Sequence, residues 1–274
     1  MSYSFFIPGS STCAVLCSNI TEKELLNFPA FKSWFKRFQA NLALQDTIPD
    51  HEFHNDPYIL RLVEIQVVDR FGERIGFLKL SATIVNAAGD KLNGTIFMRG
   101  PSVGMLVLLQ PDDLPEGSQD ERYVLLTSQP RPAAGGLRFV ELPAGMVEDG
   151  TFKGAAAKEI EEELLMNIPE DQLINLTELA IEGDVQGAED LPRAMFPSAG
   201  GCDECIQLFM HERRVPREQL KEWTGKMTGL RDEGEKITLK LIKVEDLWWE
   251  GARDAKALSA LALWENLKRT GKLK

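Results

Sequence analysis

The chain has 274 residues, a formal net charge of −11 and a hydrophobic share of 43%. That is enough apolar material for one large core or two small ones; the acidic balance argues against a nucleic-acid partner, whose phosphates want a basic surface, and no apolar run is long enough to span a bilayer. The first twenty residues contain no Lys or Arg, where a secretory or organelle leader would want basic residues, so the expectation is a cytoplasmic protein away from the membrane.

Residues 1 to about 55 read as an N-terminal element of their own. Thr21 is placed to cap a helix, with Glu24 three residues on at the capping-box position. Phe28, Phe31, Trp34, Phe35 and Phe38 form an aromatic stripe at helical spacing, interrupted near Pro29, which predicts a helical pair packed on the main body or on a partner subunit. The run His51-Glu52-Phe53-His54 has ligand-type side chains but sits in a polar connector, and the expectation there is solvent rather than metal. From Leu60 the pattern turns to period two. Val63 to Val68 predicts a strand, 70–73 a turn and Ile75 to Ile84 the partner strand; a second hairpin runs through Gly89-Asp90-Lys91 into Thr95 to Met98.

Val103 to Leu109 and Tyr123 to Thr127 predict buried strands, joined by the acidic loop Pro111 to Glu121. Leu173 to Ile181 and Glu204 to Met210 read as strands, Arg217 to Thr224 as a helix, and Lys236 to Ile242 as a strand with Ile237, Leu239 and Leu241 alternating. Asp254 to Arg269 reads as an amphipathic helix. Strands and helices mix without a regular βαβ repeat, which predicts an α+β or sandwich-like order of layers. Cys13, Cys17, Cys202 and Cys205 are expected to be free thiols: Asp203 and Glu204 between the last two suit neither a redox turn nor a zinc knuckle.

The most informative stretch is Ala144-Gly145-Met146-Val147-Glu148-Asp149-Gly150 followed by Lys158-Glu159-Ile160-Glu161-Glu162-Glu163. On a helix Glu159, Glu162 and Glu163 share a face and Glu161 points away, while Ala157, Ile160 and Leu164 line an adjacent apolar stripe. Carboxylates this close repel unless a counter-charge sits among them, and hard divalent cations favour such oxygens, so Mg2+ is the expected cofactor and Mn2+ a possible one.

This stretch resembles the Nudix box, G-x5-E-x7-R-E-U-x-E-E-x-G-U, with Gly145 as the first glycine, Lys158 in place of the arginine, Glu159 as the first helical glutamate, and Glu162 and Glu163 as the pair. Three positions depart from the pattern. The Gly145–Lys158 segment is one residue short, so the early glutamate has no clean match and Glu148 or Asp149 stands in. Lysine lacks the bidentate fork of arginine. Leu165 occupies the final glycine position, so a different helix cap is expected, built on Asn167 before Pro169. Beyond the box, Phe77-Leu78-Lys79, Arg99-Gly100-Pro101-Ser102-Val103, Gln129-Pro130-Arg131-Pro132, the segment from Phe196 to Glu204 and the segment from Thr228 to Glu235 are similar to strings of plant and fungal ADP-sugar diphosphatases. The similarity runs from about residue 25 to the end.

The resemblance implies an α+β fold: a Nudix-type mixed-sheet α/β/α sandwich with an N-terminal helical and small antiparallel β extension. It divides the chain into residues 1–100, with helices, a small antiparallel sheet and a dimerisation role, and a catalytic domain at 101–274. It implies Mg2+-dependent hydrolysis of the diphosphate in nucleoside diphosphate sugars, ADP-glucose and ADP-ribose first, to AMP and a sugar phosphate. The metal ligands carried over are the Ala144 carbonyl, Glu159, Glu163 and Glu235. Glu233 is the implied general base; Glu162 belongs to the cation-binding cluster and Lys158 orients it. Arg131 is implied as a phosphate or ribose contact; Gly200, Gly201 and Glu204 are assigned to the substrate, with the part of Glu204 open. The expected partners are the nucleotide sugar and a second copy of the chain. UDP-sugar hydrolysis and a nucleotide-sugar binder without turnover are the alternatives.

Overall fold

A computed structural model describes residues 3–147, 151–181, 189–229 and 236–273. Glu148, Asp149, Glu233 and Glu235 lie outside the described residues. The chain separates into two compact units. The first holds the described residues 3–101, 189–192 and 196–205; the second holds 102–181, 193–195 and 206–273.

The first unit opens with strands β1 (Tyr3–Phe6) and β2 (Cys13–Leu16), then helices α1 (Glu22–Asn27) and α2 (Pro29–Thr47). Strands β3 (Ile59–Phe71), β4 (Arg74–Val85), β5 (Lys91–Leu92) and β6 (Thr95–Met98) follow. Thr21 and Glu24 make a reciprocal capping box at the start of α1, and Pro29 begins α2, where its missing N–H costs nothing. The six strands run in the order β1-β2-β3-β4-β5, with β6 also on β4. All pairs are antiparallel except β2–β3, because the helical pair carries the chain back across the sheet before β3 begins. Leu78, Leu80, Ala82 and Ile84 alternate along β4 and join Leu25, Phe31, Leu60, Val63 and Ile65 in one core. Of the aromatic stripe, Phe31 is fully buried in this core, and Phe28, Trp34, Phe35 and Phe38 pack at its edge. At Gly94 the backbone passes so close to β4 that a Cβ would lie 1.9 Å from the Ala82 carbonyl oxygen, so a side chain there is excluded. The two strands before residue 20 were not read from the sequence; β1 is largely exposed and owes its shape to its pairing with β2.

The second unit contains β7 (Ser102–Pro111), β8 (Tyr123–Arg131), β9 (Gly136–Glu141), β10 (Ala144–Met146) and helix α3 (Phe152–Leu164). Then come β11 (Ile174–Asn175), α4 (Leu176–Ala180), β12 (Ile206–Val215), α5 (Arg217–Trp223), β13 (Met227–Thr228), β14 (Ile237–Lys243), α6 (Leu247–Glu250) and α7 (Ala255–Arg269). The sheet order is β11-β12-β7-β8-β14-β13, with β12 parallel to β7. Alternation sends side chains to two cores. Val103, Met105, Val107 and Leu109 of β7 meet Ala156, Ile160 and Leu164 of α3 on one face. Leu106 and Leu108 meet Ala257, Ala260, Leu261 and Trp264 of α7 on the other. The unit is thus a mixed sheet between two helical layers, the sandwich expected of the sequence. Among the described residues no helix is long and apolar enough to cross a membrane.

Strands β7 and β8 pair only at Leu108–Val124 and Leu109–Tyr123, and then part. β10 pairs with β7 beyond that point and β9 pairs with β8, so the β9–β10 segment fills the opening. Residues 144–146, read as loop from the sequence, are strand for this reason. The expected strand Leu173 to Ile181 is also corrected. Only Ile174 and Asn175 pair with β12; the Asn175 side chain then accepts a hydrogen bond from the Glu178 N–H and starts α4. The expected Asn167-based cap of α3 is replaced by Leu165 itself, which adopts the left-handed conformation at φ 55°, ψ 38°. Its N–H donates back to the carbonyls of Glu161 and Ile160.

A leucine in that conformation costs roughly 1–2 kcal/mol, and its side chain is 55% exposed, so little packing offsets the cost. Glycine adds about 0.5–1 kcal/mol of chain entropy to the unfolded state. Leu165→Gly is expected to raise stability by up to about 1 kcal/mol, seen as a higher urea midpoint; a lower midpoint would show that the leucine side chain outweighs the backbone cost.

Candidate active site

Helix α3 is positioned by its buried face. Thr151 caps it by accepting from the Gly154 N–H, and Ala156, Ile160 and Leu164 sink into the core. Glu163 follows Ile160 by three residues and is therefore carried inward with it, to 5% exposure. Its Oε2 accepts a hydrogen bond of 3.1 Å from the Ala144 N–H of β10, and its Oε1 a longer one of 3.4 Å from Gln129 Nε2 of β8. Glu159, one turn earlier, lies against Gly145. A Cβ at that glycine would sit 1.7 Å from the Glu159 Oε1, so the carboxyl occupies the space a side chain would take. Glu161 is exposed, and Glu162 is half-buried with Lys158 Nζ at 3.5 Å, an i,i+4 pair. Lys158 is 67% exposed, which limits that pair to a few tenths of a kcal/mol, about 0.3–0.5, and makes it an orienting contact rather than a stabilising one.

Burial drives the Glu163 pKa up to about 8, and the negative charge of Glu159 adds to the rise. The Ala144 N–H pulls it down, Glu141 pushes it up again, and Arg131 opposes. Burial and the Glu159 charge together favour the neutral acid form of Glu163 in the protein by itself. A divalent cation fits this set: the donors are all hard oxygens, and its charge would displace the proton that burial and Glu159 keep on Glu163. Among the described residues no three acidic, histidine or cysteine side chains form a ready-made metal cluster.

Beside these carboxyls lies a chain of charges, buried at Glu141, Lys256 and Asp254 and half-exposed at Arg131, that the sequence did not show. Arg131 Nε donates to Glu141 Oε1 at 2.6 Å. Lys256 Nζ reaches Glu141 Oε2 at 3.1 Å and Asp254 Oδ1 at 2.9 Å. Asp254 caps α7 through the Lys256 N–H and accepts from the Leu142 N–H at 2.9 Å. Burial opposes the charge on Lys256, but Asp254 and Glu141 outweigh it and its pKa is raised. The contact between Glu141 and Lys256 spans 115 residues of chain, beyond the reach of local pattern.

The second unit thus brings together Arg131, Ala144, Lys158, Glu159, Glu162 and Glu163. Gly200, Gly201 and Glu204 belong to the first unit. There the Gly201 carbonyl accepts from the Phe97 N–H, Glu204 lies 3.3 Å from Arg99 Nη1, and Asp203 accepts from the Arg99 and Gly100 N–H groups. Cys13, Cys17, Cys202 and Cys205 are free thiols, and burial raises the pKa of Cys202 and takes that of Cys205 to about 11, away from reactivity.

A family model described as the NUDIX domain matches residues 98–261. Nudix hydrolase 14, chloroplastic, of Arabidopsis thaliana is 35% identical over 265 residues, which is 96% of this chain and 77% of that protein. A crystal structure of an ADP compounds hydrolase overlays with a TM-score of 0.48 at 17% identity, over 79% of this chain and 97% of that one.

The raised pKa of Glu163 makes folding stability depend on pH. The unfolded chain loses this proton near the ordinary value of ~4.3, the folded metal-free chain near 8. The stability it contributes is whole below the unfolded value and drains away as pH rises to about 8. In EDTA, Glu163→Gln should therefore gain stability relative to the parent chain across that window; unfolding curves whose separation stays constant with pH would show that the site holds Glu163 ionised.

Proposed function

The chain belongs to the Nudix family of hydrolases, whose members generally use a divalent metal, and from that premise we propose that it hydrolyses the diphosphate of nucleoside diphosphate sugars with Mg2+, or Mn2+ in its place. The observation that carries the reading is the seat of Glu163: a buried acid held at the Ala144 N–H, one helical turn from Glu159, with a guanidinium and an ammonium on the neighbouring Glu141.

In this reading Glu159, Glu163 and the Ala144 carbonyl would hold the cation, together with Glu235. When bound, the metal neutralises charge on the diphosphate and makes its water more acidic. Arg131 supplies the counter-charge from the protein. Its Nε is taken by Glu141, and among the described residues its terminal nitrogens have no partner, which leaves a fork of donors suited to a phosphate. Lys158 steadies Glu162 in the cation-binding cluster. Glu233 takes the proton of the attacking water. One P–O bond forms to the water oxygen and the anhydride P–O bond breaks, giving a nucleoside monophosphate and a sugar phosphate. Gly200, Gly201 and Glu204 remain assigned to substrate binding on the resemblance of their segment.

ADP-ribose and ADP-glucose head the substrate set, with UDP-glucose as the competing choice. With Mg2+ the purified chain is expected to release AMP from the first two. Loss of a metal ligand removes several kcal/mol of transition-state stabilisation, so Glu163→Gln should lower kcat by about 100-fold or more with an unchanged circular dichroism spectrum. Full turnover in that variant would remove Glu163 from the metal site, and UMP release without AMP release would reassign the base.

The same reading includes a homodimer supported by the N-terminal unit. Light scattering on the full chain should return twice the mass of one chain at micromolar concentration; the mass of a single chain would reject the dimer.

A further inference from the structure

The charges next to the carboxyl site are arranged so that one buried carboxylate serves two cations, the buried Lys256 and the half-exposed Arg131. Glu141 is 3% exposed and divides its oxygens, Oε1 to Arg131 Nε and Oε2 to Lys256 Nζ. Asp254, 4% exposed, also divides its pair, Oδ1 to Lys256 and Oδ2 to the Leu142 N–H. We propose that Lys256 is a positioning residue for substrate: by occupying the second oxygen of Glu141 it limits Arg131 to a single contact, and so keeps the terminal guanidinium nitrogens available for the substrate's phosphate. The inference rests on the functional reading above for Arg131 and goes beyond it in naming what holds Arg131 ready.

Stability alone does not account for the ammonium. Two buried ion pairs give little net stabilisation over well-packed apolar groups, because each ion must be stripped of water. The Asp254 side chain already caps α7 and anchors Leu142 without the ammonium. The aliphatic stem of Lys256 packs over Gly104, where a Cβ would come within 3.3 Å of Lys256 Cδ, and a methionine would fill that space equally. What methionine lacks is the hold on Glu141 Oε2. A buried carboxylate with a vacant oxygen beside an arginine draws the guanidinium into a two-pronged pair, the preferred geometry of those groups. Arg131 would then spend its fork on Glu141.

The test is a double-mutant cycle between Lys256→Met and Arg131→Ala, read on KM and kcat for ADP-ribose with Mg2+ and on the affinity for ADP with Ca2+ by calorimetry. A charge-assisted hydrogen bond to phosphate corresponds to about tenfold or more in affinity. Lys256→Met is therefore expected to raise KM and the ADP dissociation constant by about tenfold, with kcat changed by less than about threefold. In the Arg131→Ala background the same change should have almost no effect, since its route is gone. The charge-balanced pair Lys256→Met with Asp254→Asn guards against misfolding and should show the same rise in KM. Unchanged KM and ADP affinity, a loss confined to kcat, or penalties that simply add across the cycle would each overturn the proposal. If ADP-ribose proves not to be a substrate while the ADP arm shows the coupling, the substrate assignment fails and the positioning role stands.

Discussion

The hydrogen bond from the Ala144 N–H to Glu163 joins an acidic helix to the strand that fills a split in the sheet, and the arrangement of the site follows from that join. A carboxyl with 5% exposure cannot keep its charge without compensation. Here the backbone N–H supplies part of it, while Glu159 and Glu141 work against it. The balance favours the protonated acid. This is a local electrostatic conflict of the kind that marks sites of chemistry.

The conflict is held in place by packing. Ile160 and Leu164 are fully buried against β7, and they fix the rotation of α3. Given that rotation, Glu163 must face the sheet and Glu161 the solvent. On the other side of the join, β10 is fixed by its pairing with β7 and by the Met105 N–H donating to the Pro143 carbonyl. Gly145 then supplies room for the Glu159 carboxyl at the point where any side chain would expel it. The two cores, one on each face of the sheet, thus act on the site at a distance of one or two residues.

Behind this lies the chain of Arg131, Glu141, Lys256 and Asp254. Lys256 between Glu141 and Asp254 offsets the two carboxylates, which is what permits their burial, while Arg131 extends the chain toward solvent. This chain of charges also links the start of α7 to the start of the β9–β10 connection through Leu142. The surface acid–base pairs elsewhere, such as Arg217 with Asp113 and Glu121, have no such role; they are exposed and contribute modestly.

Local order determined much of this and was readable in advance. Period two along β4, the capping box at Thr21 and Glu24, and the helical spacing of Ile160 and Leu164 and of Glu159, Glu162 and Glu163 were legible, because side-chain direction depends on neighbours a few residues away. The family resemblance and the acidic helix face came from the same short range. The tertiary structure alone decided the rest. The split between β7 and β8 turned an apparent loop into β10, Asn175 ended a strand by capping a helix, and Leu165 took a conformation that a glycine would adopt more readily. Lys256 found Glu141 across 115 residues, and the burial that pushes Glu163 to about 8 comes from three separate segments closing around it. A sequence can specify which residues carry charge; how much that charge costs depends on what excludes the water, and only the folded chain fixes that.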